Sequence, residues 1–292
     1  MGGQLSGRGR RLAAALGIVA TAAACSRPEP PRRYPLTGQV LAVHPERQQL
    51  TIKHEDIPGF MPGMTMTFPV TPATLLEGRV AGELITATLE VSESTGRLVA
   101  ITHTGTAPLP DNPNALAMAA QPLDVGDPMP DAAFIDHHDA RRSFSEWTGT
   151  ATLVTFIYTR CPLPTYCPLM DQNFATIQRA VAEDRALQGR VRLVSISFDP
   201  DHDTPAVLAK HAGRLKADPA VWTFLTGDRV TIDRFAGRLG VGLLRPAAAT
   251  EITHNLSTIL VGADGRIAKI YTGSDWTPNQ AISDLRALLQ RP

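Results

Sequence analysis

Two hydrophobic patterns divide the chain. Between Tyr34 and Thr106, apolar and β-branched residues come in short runs at 39–43, 49–53, 64–68, 83–91 and 97–103, with turn signals such as Pro45-Glu46-Arg47 and Thr95-Gly96 between them. Five short strands in so few residues predict a small closed barrel of the OB-like kind. From Val125 onward the runs lengthen and alternate with helical stripes. Residues 151–159 are continuously apolar or β-branched, the pattern of a strand covered on both faces. Met170, Phe174, Ile177 and Val181 then recur at i, i+4, i+7 and i+11, which is one face of a helix. A second buried strand is predicted at 191–198. Thr204-Pro205 opens the next helix, with threonine as cap and proline in the first turn, and Leu208, Ala212 and Leu215 continue it.

A further helix is predicted at 230–239, a hairpin at 257–261 and 266–271 around Ala263-Asp264-Gly265, and a closing helix at 278–289. The order strand, helix, strand, helix, hairpin, helix is that of an α/β thioredoxin-like domain, a mixed sheet with helices on both faces. The expected organisation is a leader at 1–25, a Pro-rich tether at 26–33, the barrel at 34–106, a linker at 107–124 and the α/β domain at 125–292. The linker assignment rests on four prolines and an Ala-rich patch within 107–123.

The leader reads as an export signal. Arg8, Arg10 and Arg11 precede a short apolar run, and the small residues Ala22-Ala23-Ala24 precede Cys25. The run is shorter than the roughly 20 residues a spanning helix needs. Small residues directly before a cysteine resemble a bacterial lipoprotein cleavage site, which makes Cys25 the expected lipidation site and the periplasmic face of a membrane the expected location. Ala22 stands where such sites usually carry leucine, so plain secretion is the alternative. Charge is balanced at 28 basic and 28 acidic side chains, which excludes a basic field for nucleic acid.

The chain has three cysteines. With Cys25 assigned to the anchor, Cys161 and Cys167 remain as a pair, open to disulfide formation in an oxidising compartment or to metal binding. They lie in Arg160-Cys161-Pro162-Leu163-Pro164-Thr165-Tyr166-Cys167-Pro168, where a buried strand ends and a helix begins. Backbone N–H groups at a helix start favour thiolates, and the prolines restrict the loop. Two thiolates plus an imidazole suit a soft ion such as Cu(I). His254, just before the strand expected near Leu256, belongs to a loop that faces the cysteine end of a thioredoxin-like sheet. His202, His137-His138, His44, His103 and His211 are assigned no role, the His137-His138 pair being expected in an exposed hairpin turn.

Residues 126–130 (GDPMP), 156–162 (FIYTRCP), 195–200 (SISFDP) with Asp203-Thr204-Pro205, and His254 ahead of Gly262-Ala263-Asp264-Gly265 together resemble the Sco/SenC family of copper chaperones. The resemblance implies that Cys161, Cys167 and His254 bind copper, as Cu(I) or Cu(II), and that the protein helps build the binuclear copper centre of a cytochrome c oxidase subunit. Copper binding needs the dithiol state, which implies a periplasmic thiol reductant as partner. Five residues, Pro162 to Tyr166, separate the cysteines here, more than that family usually places between them, and Thr253 stands where an acidic residue often precedes the histidine.

The barrel holds a second soft-donor group, His54, Met61, Met64 and Met66. Met64 and Met66 are two apart in a strand, so both sulfurs face one side, and thioethers select Cu(I). The competing reading is that methionines fill the barrel core. This segment resembles the CusF type of periplasmic copper-binding protein, with Met61 where that family places a tryptophan. The resemblance implies a Cu(I) site on His54, Met64 and Met66. Met61, in place of the tryptophan, is expected as a third sulfur or an apolar shield, and two adjacent soft-metal modules make hand-over of copper from the barrel to the α/β domain the simplest expected mechanism. Two enzyme alternatives stand beside this: a thiol–disulfide oxidoreductase using Cys161 and Cys167, in which His254 is dispensable, and a thiol peroxidase, which a cysteine pair in a proline-rich loop fits poorly.

Overall fold

The barrel strands follow the alternation of the sequence. In the computed structural model of the chain, β1 (Arg32–His44), β2 (Gln49–His54), β3 (Met64–Pro69), β4 (Glu83–Ser92) and β5 (Thr95–Thr106) form one antiparallel sheet in the order β3-β2-β1-β4-β5. A parallel bridge between Val70 and Leu98 joins the two outer strands. Leu50, Ile52, Phe68, Ile85, Leu89 and Leu98 fill the interior. β1 serves both neighbours, pairing along its first part with β4 and along its second with β2, with a register shift between Val40 and Ala42. Such a shift sharpens strand twist and helps a sheet curl. The structure describes residue 3 and residues 30–92, 95–120, 123–245 and 251–290. The expected leader cleavage, Cys25 and tether residues 26–29 lie outside the described residues.

The second sheet is mixed and has the order β14-β13-β8-β9-β10-β6-β7. It comprises β6 (Ala133–Asp136), β7 (Arg141–Ser143), β8 (Ala151–Ile157), β9 (Val191–Ser197), β10 (Trp222–Thr226), β13 (Ser257–Val261) and β14 (Ile267–Thr272), while β11 (Leu243–Leu244) and β12 (Thr253–His254) form a separate two-stranded ladder. β8, β9 and β10 are parallel, and β13 runs antiparallel to β8. Every residue of β8 is buried, as its unbroken apolar run requires. The helices are α2 (Cys167–Glu183), α3 (Pro205–Leu215), α4 (Arg229–Arg238) and α5 (Pro278–Leu289). Thr204, Asp228 and Thr277 cap α3, α4 and α5 through side-chain oxygens. This is the expected α/β thioredoxin-like arrangement. β10 and the β11–β12 ladder are additions to the sequence reading: runs of five and two residues carry too little periodicity to be seen.

The segment expected as a linker contains a packed helix, α1 (Pro113–Ala119), capped by Asn112. Asn114 is buried; its amide donates to the carbonyls of Asp233 (3.0 Å) and Val241 (2.8 Å), and its Oδ1 accepts from Leu243 N–H (2.9 Å). On the barrel side, Thr51 donates to the Met118 carbonyl at 3.3 Å, and the Gln39 amide donates to the carbonyls of Ala107 and Pro108. The barrel, α1 and the α/β lobe thereby cluster as one unit spanning residues 31–292. Gly242 allows the closest approach, because a Cβ there would stand 2.1 Å from the Thr65 carbonyl oxygen of β3.

Asn114→Ala removes three hydrogen bonds to buried backbone groups. It should lower the unfolding free energy by about 3 kcal/mol, read from the denaturant midpoint at unchanged m-value.

Candidate metal centre

The chain leaves β8 through Tyr158-Thr159-Arg160 and is clamped before it reaches Cys161. Thr159 N–H donates to Asp203 Oδ2 at 2.9 Å, and the hydroxyls of Thr159 and Ser197 also donate to the Asp203 carboxylate. Arg160 Nε donates to Asp199 Oδ2 at 2.7 Å. Asp199 and Asp203 are both buried. The acidic turn after β9, visible in the sequence only as part of a motif, therefore fixes where the cysteine loop starts.

Cys167 is the first residue of α2. No side chain caps this helix, so its N–H groups are left for the thiols. The Cys161 sulfur is held well below the ordinary thiol range. The leading cause is a hydrogen bond from Cys167, and the neighbouring His254 ring and the backbone of Leu163 and Cys167 add to it against the cost of burial. Cys167 is pushed in the opposite direction, by the same bond and then by burial. The two thiols stand unbridged, Cys161 half-buried and Cys167 buried.

His254 sits on β12, paired with Leu243 of β11. Its ring is buried beside Phe198, with centroids 4.5 Å apart, and is met edge-on by Tyr166 at 5.6 Å and Tyr158 at 6.1 Å. Nδ1 donates to the Asn255 carbonyl at 3.0 Å, which leaves the Nε2 lone pair free, and Nε2 lies 4.0 Å from Cys167 Sγ. A hydrogen bond on one ring nitrogen fixes the tautomer that presents the other as a ligand. A bound ion at thiolate and imidazole bond lengths of about 2.3 and 2.0 Å spans a gap of this size. Among the described residues, no three His, Cys, Asp or Glu groups are already closed around one point as a metal cage.

The barrel donors repeat this device. His54 and Met64 face each other across the β2–β3 ladder, and Met66 faces Ile52. His54 is buried, Nδ1 donates to the Glu55 carbonyl at 2.7 Å, and Nε2 has no hydrogen-bond partner. Burial lowers its pKa, so the imidazole stays neutral near pH 7. A buried, unpartnered lone pair beside a thioether strand is costly unless something binds it. Met61 is placed by a turn in which Ile57 and Met61 exchange backbone hydrogen bonds, and Phe60 stacks on Tyr34 at 4.6 Å. Met61 and Met66 also pack against the barrel core, as the core-packing reading of these methionines expects.

Met61, Met64 and Met66 line one wall of a cleft of about 420 Å³ whose other wall includes Cys161, Tyr166 and His254. The structure thus places Met61, Met64, Met66, Cys161 and His254 around one space; Cys167 is buried and does not line it, and His54 lies in the adjoining pocket that Met64 also lines.

The sequence reading passed over several polar residues here. His137 is buried, not exposed; it takes the Phe224 N–H on Nδ1 at 3.2 Å because its hairpin packs against β10. His211, assigned no role, pairs with the buried Asp171 at 2.9 Å one turn beyond Cys167. The signal was a carboxylate next to Met170 on the buried stripe of α2.

The sequence model described as SCO1/SenC matches residues 126–290, and that described as copper binding periplasmic protein CusF matches residues 33–103. The SCO1 protein homolog of Bacillus subtilis (strain 168) is 32% identical over 148 residues, covering 50% of this chain and 74% of that protein. The crystal structure of a SCO1/SenC family lipoprotein from Bacillus anthracis str. Ames aligns with a TM-score of 0.51 at 25% identity, covering 59% of this chain and 99% of that one.

The thiol asymmetry can be read by alkylation. Cys161 should react with iodoacetamide at nearly the same rate at pH 6 and pH 8, whereas an ordinary thiol loses about tenfold per pH unit below its pKa. Cys167 should stay unmodified until the chain unfolds, as peptide mass mapping would report.

Proposed function

The chain belongs to the SCO1/SenC family, and from that premise we propose that it is an exported copper chaperone with two soft-metal sites, carrying copper toward the copper centre of a cytochrome c oxidase subunit. Copper is the cargo. In the α/β lobe its ligands are the sulfurs of Cys161 and Cys167 and Nε2 of His254. In the barrel they are Nε2 of His54 and the thioethers of Met64 and Met66, with Met61 as a third sulfur at the cleft. The observation that carries the reading is the free Nε2 of His254 at 4.0 Å from Cys167 Sγ. The ring is locked by its other nitrogen and enclosed by aromatic side chains, which makes it a poor general base for solvent chemistry but a preorganised ligand.

Thiolate, imidazole and thioether donors together favour Cu(I) over harder ions. The two sites differ in character. Thiolates bind through full negative charge and hold the ion firmly, whereas the neutral donors of the barrel release it more readily. Loading of the thiol site displaces protons, so its affinity falls in acid. The barrel site is less sensitive. Burial lowers the pKa of its histidine, so protons compete for it only below the ordinary histidine value. Copper is taken up by the dithiol and not by a disulfide, so a thiol reductant belongs to the same compartment.

Export and lipid anchoring at Cys25 are part of this proposal. Among the described residues no helix is long and apolar enough to cross a membrane, and an anchor at Cys25 supplies membrane attachment without one.

A second reading is favoured by one observation, the pairing of a half-buried, acidified thiol with a buried partner. That asymmetry suits a thiol–disulfide oxidoreductase acting on cysteines of a copper-site protein. His254 separates the two. In the copper reading, the reduced chain binds two equivalents of Cu(I); Cys161→Ser or His254→Ala loses one of them, and His54→Ala or Met64→Leu loses the other, by metal analysis after desalting. Disulfide exchange that survives His254→Ala, together with copper binding that also survives it, would replace the chaperone reading by the oxidoreductase one.

A further inference from the structure

The barrel and the α/β lobe are separate modules by sequence, yet their donor sets open onto the same cleft. The reason is a short run of backbone. Met64-Thr65-Met66 belongs to β3. Gly242 backs directly onto the Thr65 carbonyl, its neighbour Leu243 pairs with His254, and its own N–H donates to Asn255 Oδ1 at 2.7 Å. The methionine strand is therefore one ladder away from the histidine strand.

The donors on the two sides are graded by exposure. His54, Cys167 and His254 are 3%, 2% and 5% exposed; His54 and Cys167 do not line the cleft, whereas His254 forms part of its wall. Met61, Met66 and Cys161 are half-buried and line the cleft itself. Met64 lines both the cleft and the pocket holding His54.

We propose that Cu(I) passes between the two sites inside a single chain, through this cleft and without release to solvent. Transfer proceeds by ligand exchange. The bonds from copper to His54 and the methionine sulfurs break as bonds to Cys161, Cys167 and His254 form, with Met61 and Met66 as the last barrel donors and Cys161 as the first acceptor. Copper stays Cu(I), no electron moves, and each thiol that becomes a ligand leaves its proton to water. The inference rests on the copper reading above and adds to it a route. It also assigns α1 and Gly242 the task of holding the two sites face to face.

The test uses the full mature chain with the half-buried Cys161 carrying a photolabile nitrobenzyl cage and one equivalent of Cu(I) loaded onto the barrel. A flash frees this thiol, and the near-ultraviolet thiolate-to-copper absorption reports arrival. Passage within the chain gives a rate unchanged by tenfold dilution. At 10 µM protein it should exceed transfer between chains by about a hundredfold, because a short connection holds the partners at an effective concentration on the order of 1 mM. The between-chain rate comes from mixing a copper-loaded Cys161→Ser/Cys167→Ser chain with a His54→Ala/Met64→Leu chain. Gly242→Ala, which forces β3 and β11 apart, should bring the rate down at least tenfold while both sites still bind copper. Should that variant fail to fold, the dilution series on the unsubstituted chain decides alone. A rate proportional to protein concentration, with both sites loaded, overturns the route and leaves the chaperone reading standing. Copper absent from the caged chain, or from the uncaged thiols when supplied directly, overturns both.

Discussion

A backbone contact that a side chain would forbid lies at the centre of this molecule. Gly242 meets the Thr65 carbonyl where any other residue would place a Cβ 2.1 Å from the oxygen. On one side of that contact runs the methionine strand, on the other the ladder that carries His254. Asn114 reinforces the contact from α1 by taking up the orphaned backbone groups of Asp233, Val241 and Leu243. Without this junction the chain would be two small modules on a flexible connection. With it, the ligand geometry of each module is tied to the other.

Both candidate sites use the same solution to the problem of a buried imidazole. In each, Nδ1 donates to the carbonyl of the following residue, Glu55 or Asn255, and Nε2 is turned inward. A ring oriented through one nitrogen in this way can present the other as a ligand. The thiol site adds charge to this plan. A hydrogen bond from Cys167, with neighbouring backbone N–H groups at an uncapped helix start, lowers the pKa of the half-buried Cys161 sulfur against the cost of burying it. The barrel site adds no such charge.

Much of this was legible along the chain. The stripe of Met170, Phe174, Ile177 and Val181 is the buried face of α2, and the caps at Thr204 and Thr277 start α3 and α5. Local periodicity and local hydrogen bonds determine such features, and both are written in consecutive residues. The roles of Asp199 and Asp203 were not legible. A carboxylate in a turn looks solvated until the tertiary structure brings Thr159 and Arg160 against it. His137 and His211 were misjudged for the same reason, since their partners Phe224 and Asp171 are far away in sequence.

By itself the sequence determined the two modules, the identity of the soft donors and their spacing on strand, loop and helix. These follow from residue chemistry and short-range geometry. The tertiary structure alone decided that His254 meets Cys167, that a segment with the composition of a linker is a packed helix, and that both donor sets open onto one cleft. Those outcomes depend on close approach between chain segments more than eighty residues apart in the case of Cys167 and His254. Such approach is governed by packing and by the satisfaction of buried polar groups, which no run of neighbouring residues encodes.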